Sequence, residues 1–362
     1  YKRQVCAQCN FTHMKKIKKI VYLTILMIFV STSLPDAHVF AKITTCTTQT
    51  VSSDYIKKAR GEWYTYCPAG VTDNRKMTTF YCRNGAAGQV VDYIYSTSIS
   101  VQGKKRTIVA LKPSEDCSQF DSVHVCDPTV IADSFEYQNK NYKYAMFYLG
   151  SQSLDNKCNR IGVALCNNIN GKFIKPENNI VIDYTYDSNY TDIFQWGVGQ
   201  PSAISLGDGK VLLFYTKGDM TGTDTYVSLL DMADVNNIQI LETTKLSTDG
   251  IGTFISNADF AYDNVNKRLY MVCDKRPFAD GELNIVADTS CEYYTDIHLD
   301  MSSLSYCKWN LMKDIDPSLT GHNRNHNCGF IRNDRGYVSE PPVILCTVAD
   351  ISLWEYKIVK IK

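Results

Sequence analysis

One motif recurs five times along the chain, and it constrains the fold more than any other feature of the sequence. Each copy begins with a polar or small residue, continues through a proline or another small residue, and ends with an apolar pair. The five copies occupy residues 67–71, 127–131, 200–204, 257–261 and 327–331. The last two copies lack the proline, so their register could differ by one residue. A unit that recurs at a roughly regular spacing indicates a repeat architecture.

A second pattern follows each opening, namely a short apolar run rich in aromatic and β-branched residues. These runs occupy residues 78–82, 144–148, 211–215, 269–273 and 343–347. Short runs of this kind, bounded by glycine and asparagine turns, indicate strands that are buried on both faces. A third and usually a fourth strand pattern complete each unit, and no helical periodicity follows residue 41. We therefore predict an all-β chain that forms a five-bladed β-propeller with four-stranded antiparallel blades.

The two ends of the chain are predicted to meet in one blade. The last unit ends after its third strand, whereas the threonine-rich segment 43–51 has no unit of its own. An unclosed ring would leave two strand edges with unpaired backbone groups. We expect this N-terminal strand to close the last blade as its outer strand. Two stacked β-sandwich domains are the alternative, and five copies of one pattern argue against them.

The first 41 residues have the features of a secretion signal preceded by an extra segment. Met14 is the first methionine, four lysines follow it, and an apolar run precedes a possible cleavage site at residues 39–41. We predict an upstream segment at 1–13 that is not native, a signal peptide at 14–41, and a single secreted domain at 42–362. A membrane anchor is the alternative, but the apolar run is short for a span. We expect no transmembrane segment in the mature chain.

The charge and the cysteine count limit the partners and the compartment. Six of the 38 basic residues and one of the 38 acidic residues precede Lys42, which leaves 32 basic against 37 acidic residues. A mildly acidic chain without a basic run is a poor partner for nucleic acid. Twelve of the 14 cysteines follow the signal, and an even number in an exported chain predicts disulfides. Buried free thiols are the alternative. We expect a monomer.

The five openings are the candidate functional region. In a propeller the innermost strands line a central tunnel, so openings far apart in sequence should meet at one mouth and form a ligand pocket. Asp127-Pro128 and the segments 196–202, 256–260 and 324–327 resemble motifs of the five-bladed glycoside hydrolases of family 43 and of uncharacterised secreted bacterial proteins similar to them. The resemblance implies hydrolysis of arabinose- or xylose-containing glycans by three carboxylates, namely a base, an orienting aspartate and a glutamate acid.

Only part of that carboxylate set can be transferred to this chain. The resemblance places Asp127 at the base position, and Asp259 is the best second carboxylate. Gln200 stands where a carboxylate is expected, and an amide cannot exchange a proton near neutral pH. No glutamate lies in any opening, and Glu282 and Glu292 could reach the mouth only through a loop. The general acid is therefore unidentified. Each aspartate also has a structural interpretation, because Asp-Pro and Asx residues favour turns.

Several polar and aromatic residues at the openings are candidate saccharide contacts. Trp196 could stack on a sugar face or pack within a blade. The remaining contacts are predicted at Gln200, Asn257, Arg324, His326 and Asn327. The resemblance implies that His326 could help to hold Ca²⁺ in the tunnel, although one histidine is not a metal site. No cofactor is otherwise expected, and His124 could orient Asp127.

Two classes of function fit these observations. The first is a secreted glycan-acting protein, similar to glycoside hydrolases, that binds an oligo- or polysaccharide. The second is non-catalytic, either a carbohydrate-binding propeller that lost its acid or an extracellular protein-interaction module. Gln200 and the missing glutamate favour the carbohydrate-binding propeller over the enzyme, and the fold alone does not decide between these functions and the interaction module.

Overall fold

The computed structural model describes residues 50–362 apart from 57–62, 74–75, 87–88, 156, 190–194, 220–221, 276–286, 340–341 and 351–354. The predicted upstream segment 1–13 and the predicted signal peptide 14–41 lie outside the described residues. Within the described ranges, helical structure is limited to Met301–Tyr306, Pro317–Thr320 and one 3-10 turn at Val235–Asn237. The all-β prediction is confirmed. Nowhere in the described ranges is a helix long and apolar enough to span a membrane.

The described part of the chain contains twenty strands. The strands are β1 (Val51–Ile56), β2 (Thr65–Asp73), β3 (Lys76–Asn84), β4 (Asp92–Ile99), β5 (Lys105–Leu111), β6 (His124–Tyr137), β7 (Lys140–Ser151), β8 (Arg160–Cys166), β9 (Ile180–Ile182), β10 (Gly197–Gly207), β11 (Lys210–Asp219), β12 (Gly222–Asp231), β13 (Gln239–Lys245), β14 (Asp259–Asp263), β15 (Arg268–Asp274), β16 (Ser290–Asp296), β17 (Asn310–Ile315), β18 (Arg324–Asn333), β19 (Val343–Ala349) and β20 (Lys357–Ile361). Three four-stranded antiparallel sheets contain β6–β9, β10–β13 and β14–β17 in sequence order.

The remaining strands form one eight-stranded sheet in the order β1-β20-β19-β18-β2-β3-β4-β5. It consists of two antiparallel four-stranded halves that meet where β18 runs parallel to β2, with Ile331 opposite Gly70. The first and last parts of the chain therefore belong to the same sheet. Each half has the strand order of the other three sheets, with the opening motif on the innermost strand.

An N-terminal strand does pair with the last strand, but its predicted position was wrong. The strand β1 pairs antiparallel with β20, with Val51 opposite Ile361. The predicted segment 43–51 overlaps β1 only at Val51, and residues 43–49 lie outside the described residues. Burial explains the shift, because Tyr55 and Ile56 pack with Leu345 and Ile358, whereas threonines offer little apolar surface.

Apolar clusters fill the space between consecutive sheets. Phe147 of β7 and Leu213 of β11 belong to one such cluster. In the next, the rings of Phe214 and Phe260 stack with centroids 4.2 Å apart. The guanidinium of Arg332 from β18 is buried among four innermost strands. It donates to Thr129 Oγ1 at 2.6 Å and to the carbonyl of Phe260 at 2.7 Å. The innermost strands therefore surround a common axis.

The predicted disulfides are absent from the described part of the chain. The structure describes eleven of the twelve cysteines after the signal, and all eleven are free thiols. Nine of them are buried on or beside strands, where a thiol packs as a small apolar side chain. Nine of the eleven described cysteines therefore match the alternative interpretation, buried free thiols, whereas Cys117 and Cys158 are exposed free thiols.

Candidate functional site

The first residue of each opening has the same unusual backbone conformation. Ten of the described non-glycine residues have a positive φ, and they include the first residue of every opening, with φ between 49° and 54°: Cys67, Asp127, Gln200, Asn257 and Asn327. The strand pairing shifts register at four of these positions, which marks a β-bulge. A left-handed conformation costs a non-glycine residue about 1 kcal/mol or more. The five openings are therefore structurally equivalent, and the predicted register of the two copies without proline is correct.

Hydrogen bonds connect neighbouring opening residues on one side of the ring. The amide N–H of Asn257 donates to Gln200 Oε1 at 2.7 Å, and Gln200 Nε2 donates to Asn257 Oδ1. Asn257 Nδ2 then donates to Asp274 Oδ2 at 2.6 Å. The other oxygen of Asp274 accepts the amide N–H of Asn327 at 2.9 Å. A buried carboxylate thus links the fourth opening to the fifth.

The same chain of bonds continues from the fifth opening to the first two. Asn327 Nδ2 donates to Cys67 Sγ at 2.6 Å, and the Cys67 thiol donates to Asp127 Oδ1 at 2.7 Å. These contacts orient the Asp127 carboxylate. The backbone N–H of Asp127 also lies 3.0 Å from Cys82 Sγ. The orientation of Asp127 is therefore fixed by side chains from three different strands.

A cavity of about 460 Å³ lies against this ring of openings. Six of the eight predicted site residues line it, namely Asp127, Trp196, Gln200, Asn257, His326 and Asn327. Its volume is within the range of small-molecule pockets, and it is large enough for a short saccharide. The structure therefore brings most of the predicted residues together at one place.

Asp259 and Arg324 do not line the cavity. Asp259 Oδ1 accepts a hydrogen bond from Ser202 Oγ at 2.6 Å and lies 3.4 Å from Arg332 Nη1. Its other oxygen accepts the backbone N–H of Phe330 at 2.8 Å. These bonds tie Asp259 into the contacts between innermost strands, in keeping with the structural interpretation of this residue. Arg324 begins β18 opposite Ala349.

Asp274 is a functional candidate that the sequence analysis missed. It is 2% exposed at the end of β15, and its Oδ2 lies 2.6 Å from His326 Nδ1. Ser290 Oγ also donates to Asp274 Oδ1 at 3.1 Å. The available signal was a lone carboxylate directly after the apolar run 269–273. With Nδ1 engaged by the carboxylate, Nε2 is the ring nitrogen of His326 that remains for a ligand.

A second histidine and aspartate also pair in the cavity lining. His124 Nδ1 lies 3.1 Å from Asp92 Oδ2, and the Tyr64 hydroxyl donates to Asp92 Oδ1 at 2.7 Å. His124 is buried, and its Nε2 has no hydrogen-bond partner. His124 was predicted to orient Asp127, but its ring instead contacts Asp92.

Burial raises the pKa of Asp127, the hydrogen bond from the Cys67 thiol opposes that shift, and the Asp92 charge adds to it. Burial also raises the pKa of Glu292, although Lys313 Nζ lies 3.1 Å from its carboxylate. Glu292 sits within β16 and does not line the cavity. The other predicted glutamate, Glu282, lies outside the described residues.

Aromatic side chains form one wall of the cavity. The rings of Tyr64 and Tyr66 have centroids 5.6 Å apart, and Tyr66 lies 6.1 Å from Tyr356. The Tyr356 ring is in turn 6.0 Å from the ring of His326. All four residues line the cavity together with Trp196. Aromatic faces offer an apolar surface against which the C–H groups of a sugar can pack.

The described residues around His326 do not fit calcium. Ca²⁺ takes six to eight oxygen ligands. Both oxygens of Asp274 are already occupied by donors, and His326 Nδ1 is one of them. Among the described residues, one group of three potential ligands was found, and two of its members are thiols. No step proposed below uses calcium.

Comparisons with known proteins show the fold. No protein-family model matches the chain, and no curated protein sequence matches it. A family 117 glycoside hydrolase, Zg3597 of Zobellia galactanivorans, is similar in structure with a TM-score of 0.56 and 10% identity. The match covers 87% of this chain and 89% of that one.

Two further solved structures are similar to the same degree. An α-L-arabinofuranosidase from Podospora anserina matches with a TM-score of 0.56 and 8% identity over 87% of this chain and 96% of that one. An endo-arabinase from Bacteroides thetaiotaomicron matches with a TM-score of 0.51 and 10% identity over 82% and 93%. The chain therefore has the fold of β-propeller glycoside hydrolases. At such low identity the likeness shows the fold alone.

Proposed function

We propose that this protein is a secreted, five-bladed β-propeller that binds and hydrolyses a glycan in the cavity at the tunnel mouth. The two halves of the eight-stranded sheet are counted here as the first and last blades, and the three separate sheets as the others. The signal pattern at residues 14–41 supports export. Arabinose- or xylose-containing glycans are the proposed substrates, because structural neighbours include an endo-arabinase, an α-L-arabinofuranosidase and a β-xylosidase.

The observation that carries this proposal is the meeting of Asp127 and His326 in one cavity that has an aromatic wall, with His326 hydrogen-bonded to the buried Asp274 behind it. Glycoside hydrolysis needs a proton donor at the leaving oxygen and an ionised group that activates water or attacks the sugar carbon. No glutamate lines the cavity in the described part of the chain. An imidazole can donate a proton near neutral pH, so His326 can replace the missing acid.

The roles follow from the contacts. Asp127, oriented by Cys67, accepts a hydrogen bond from the attacking water. Asp274 fixes the orientation of the His326 ring, and His326 Nε2 gives a proton to the leaving sugar oxygen. Tyr66, Tyr356 and Trp196 supply faces for sugar rings. Asp259 keeps a structural role through Arg332.

A screen of the purified protein against arabinan, xylan, fructan and mannan oligosaccharides tests this function. Sugar release is expected with one glycan class, together with its loss in Asp127→Asn and in His326→Gln. Glu115→Gln is the matched control, because Glu115 is exposed and outside the cavity. Full activity of Asp127→Asn would overturn the assignment.

One observation favours a second candidate, a carbohydrate-binding propeller without turnover. Gln200 is the first residue of the third opening, and its side-chain amide is hydrogen-bonded to Asn257 and Thr216. Saccharide binding without release, and equal affinity in wild type and His326→Gln, would support that alternative. If no saccharide binds, the remaining candidate function is an extracellular protein-interaction module.

A further inference from the structure

Two thiols and a carboxylate from three strands meet beside the cavity. Cys67 on β2, Cys82 on β3 and Asp127 on β6 each bring one potential ligand atom, and these atoms all lie within 4.8 Å of one another. Cys67 Sγ is 2.7 Å from Asp127 Oδ1. Because the residues come from two different sheets, chain connectivity alone does not account for the cluster.

Burial makes this cluster an unusual arrangement for an apolar core. Cys67 and Cys82 are 5% and 0% exposed, and Cys126 packs against both. Thiols are weak hydrogen-bond partners, yet here the Cys67 thiol contacts the half-buried Asp127 carboxylate and Cys82 Sγ accepts the Asp127 backbone N–H, rather than packing against apolar side chains alone. A bound cation would supply positive charge for this carboxylate and for the two thiolates that metal binding would form.

We propose that Cys67, Cys82 and Asp127 bind one zinc ion. Zn–S bonds of about 2.3 Å and Zn–O bonds of about 2.1 Å place tetrahedral ligand atoms roughly 3.6 Å apart, so small shifts convert the observed cluster into a zinc site. Mixed thiolate and carboxylate ligands exclude calcium and magnesium, which take oxygen, and copper(I), which takes soft sulfur. Cys126 or a water completes the tetrahedron, and binding releases the two thiol protons to solvent.

The inference does not rest on the proposed glycan function. A carboxylate has two oxygens, so Asp127 can bind zinc through one oxygen and face the cavity with the other. Metal content is measured without any saccharide. A failure of the zinc site therefore leaves the glycan proposal standing, and the reverse also holds.

The test is the metal content of the reduced, full-length protein after equilibration with Zn²⁺ and desalting, measured by elemental mass spectrometry. We expect about one zinc per chain in wild type and background zinc in Cys67→Ser/Cys82→Ser. The matched control is Cys117→Ser/Cys158→Ser, which removes two exposed thiols and should keep its zinc. Zinc retained in the first double variant would overturn the proposal.

A measurement on the wild type covers the case in which the variant does not fold. Loading with Co²⁺ should give a sulfur-to-cobalt charge-transfer band in the near ultraviolet. No charge-transfer band, or a disulfide at Cys67 or Cys82 found by peptide mapping of the unreduced protein, would contradict the zinc site.

Discussion

His326 Nδ1 lies 2.6 Å from Asp274 Oδ2, although 52 residues separate the two in sequence. The same carboxylate accepts hydrogen bonds from Asn257 and from the backbone of Asn327. Asp274 thus accepts hydrogen bonds from residues of the fourth and fifth openings and also contacts His326, the candidate proton donor.

Replacing Asp274 with alanine should destabilise the protein strongly. The change leaves buried donors of His326, Asn257 and Ser290 without their acceptor, which typically costs about 3 kcal/mol or more. Chemical denaturation measures the free energy of unfolding. Asp296→Ala, which removes an exposed partner of Arg268, should change it by no more than about 1 kcal/mol. Equal losses in the two variants would argue against a central role for Asp274.

A methyl group at Gly329 should disrupt the junction of the eight-stranded sheet. A Cβ there would lie 1.9 Å from the backbone carbonyl oxygen of Pro68, so β18 and β2 would have to separate. We expect Gly329→Ala to lower the free energy of unfolding by more than about 2 kcal/mol. Gly222→Ala is the control, because its Cβ meets only Phe254 at 3.8 Å. Similar melting temperatures for the two variants would contradict the close packing of β18 against β2 at Gly329.

The stacked pair Phe214 and Phe260 should stabilise the contact between two sheets. Removing either ring creates a cavity, and Phe214→Ala should cost about 3–5 kcal/mol. A double-mutant cycle should show coupling of about 0.5–1.5 kcal/mol, because the rings touch. Denaturation of the two single variants and the double variant measures both quantities. Strict additivity would mean that the stacking adds nothing beyond burial.

Acid should destabilise the protein through carboxylates that are stabilised in the folded state. The hydrogen bond from Lys217 holds the pKa of Asp187 below its ordinary value, and the backbone N–H of Ser303 lowers the pKa of Asp300. Their stabilising contribution is complete above the unfolded pKa of about 4 and is lost as the pH falls through the lowered folded values.

Calorimetry between pH 7 and pH 3 tests this expectation. The melting temperature should fall below about pH 4, and Lys217→Gln should show a smaller acid-induced fall than wild type. Lys157→Gln provides a lysine control that leaves Asp187 and its Lys217 partner in place. If the melting temperature falls equally in Lys217→Gln and in wild type, Asp187 does not contribute to the acid destabilisation.

Local pattern was enough to predict the repeat and the five openings. Each opening combines a bulge residue with an apolar strand, and both signals lie within a few residues of each other. Asp127, Gln200 and Asn327 therefore appear where the sequence predicted them. The predicted boundary of the N-terminal strand was wrong because β-pairing at an edge depends on which side chains find apolar partners.

Contacts between blades could not be predicted from the sequence. The partners of His326 and of His124 lie on other strands, and no spacing rule connects them. Asp259 looked equivalent to other opening residues, yet it lies two residues beyond Asn257, the residue with positive φ, and so bonds Ser202 and Arg332 instead of lining the cavity. An even cysteine count predicted disulfides, but the count carries no information about distance.

The rate of sugar release by wild type and by His326→Gln, at saturating concentration of the glycan found by the screen, tests the central claim most directly. If His326 donates the proton, kcat should fall by about 100- to 10,000-fold in the variant. Glu115→Gln should match wild type, and the saccharide should still bind to His326→Gln. Equal kcat values for wild type and His326→Gln would contradict the account of this cavity as a hydrolytic site.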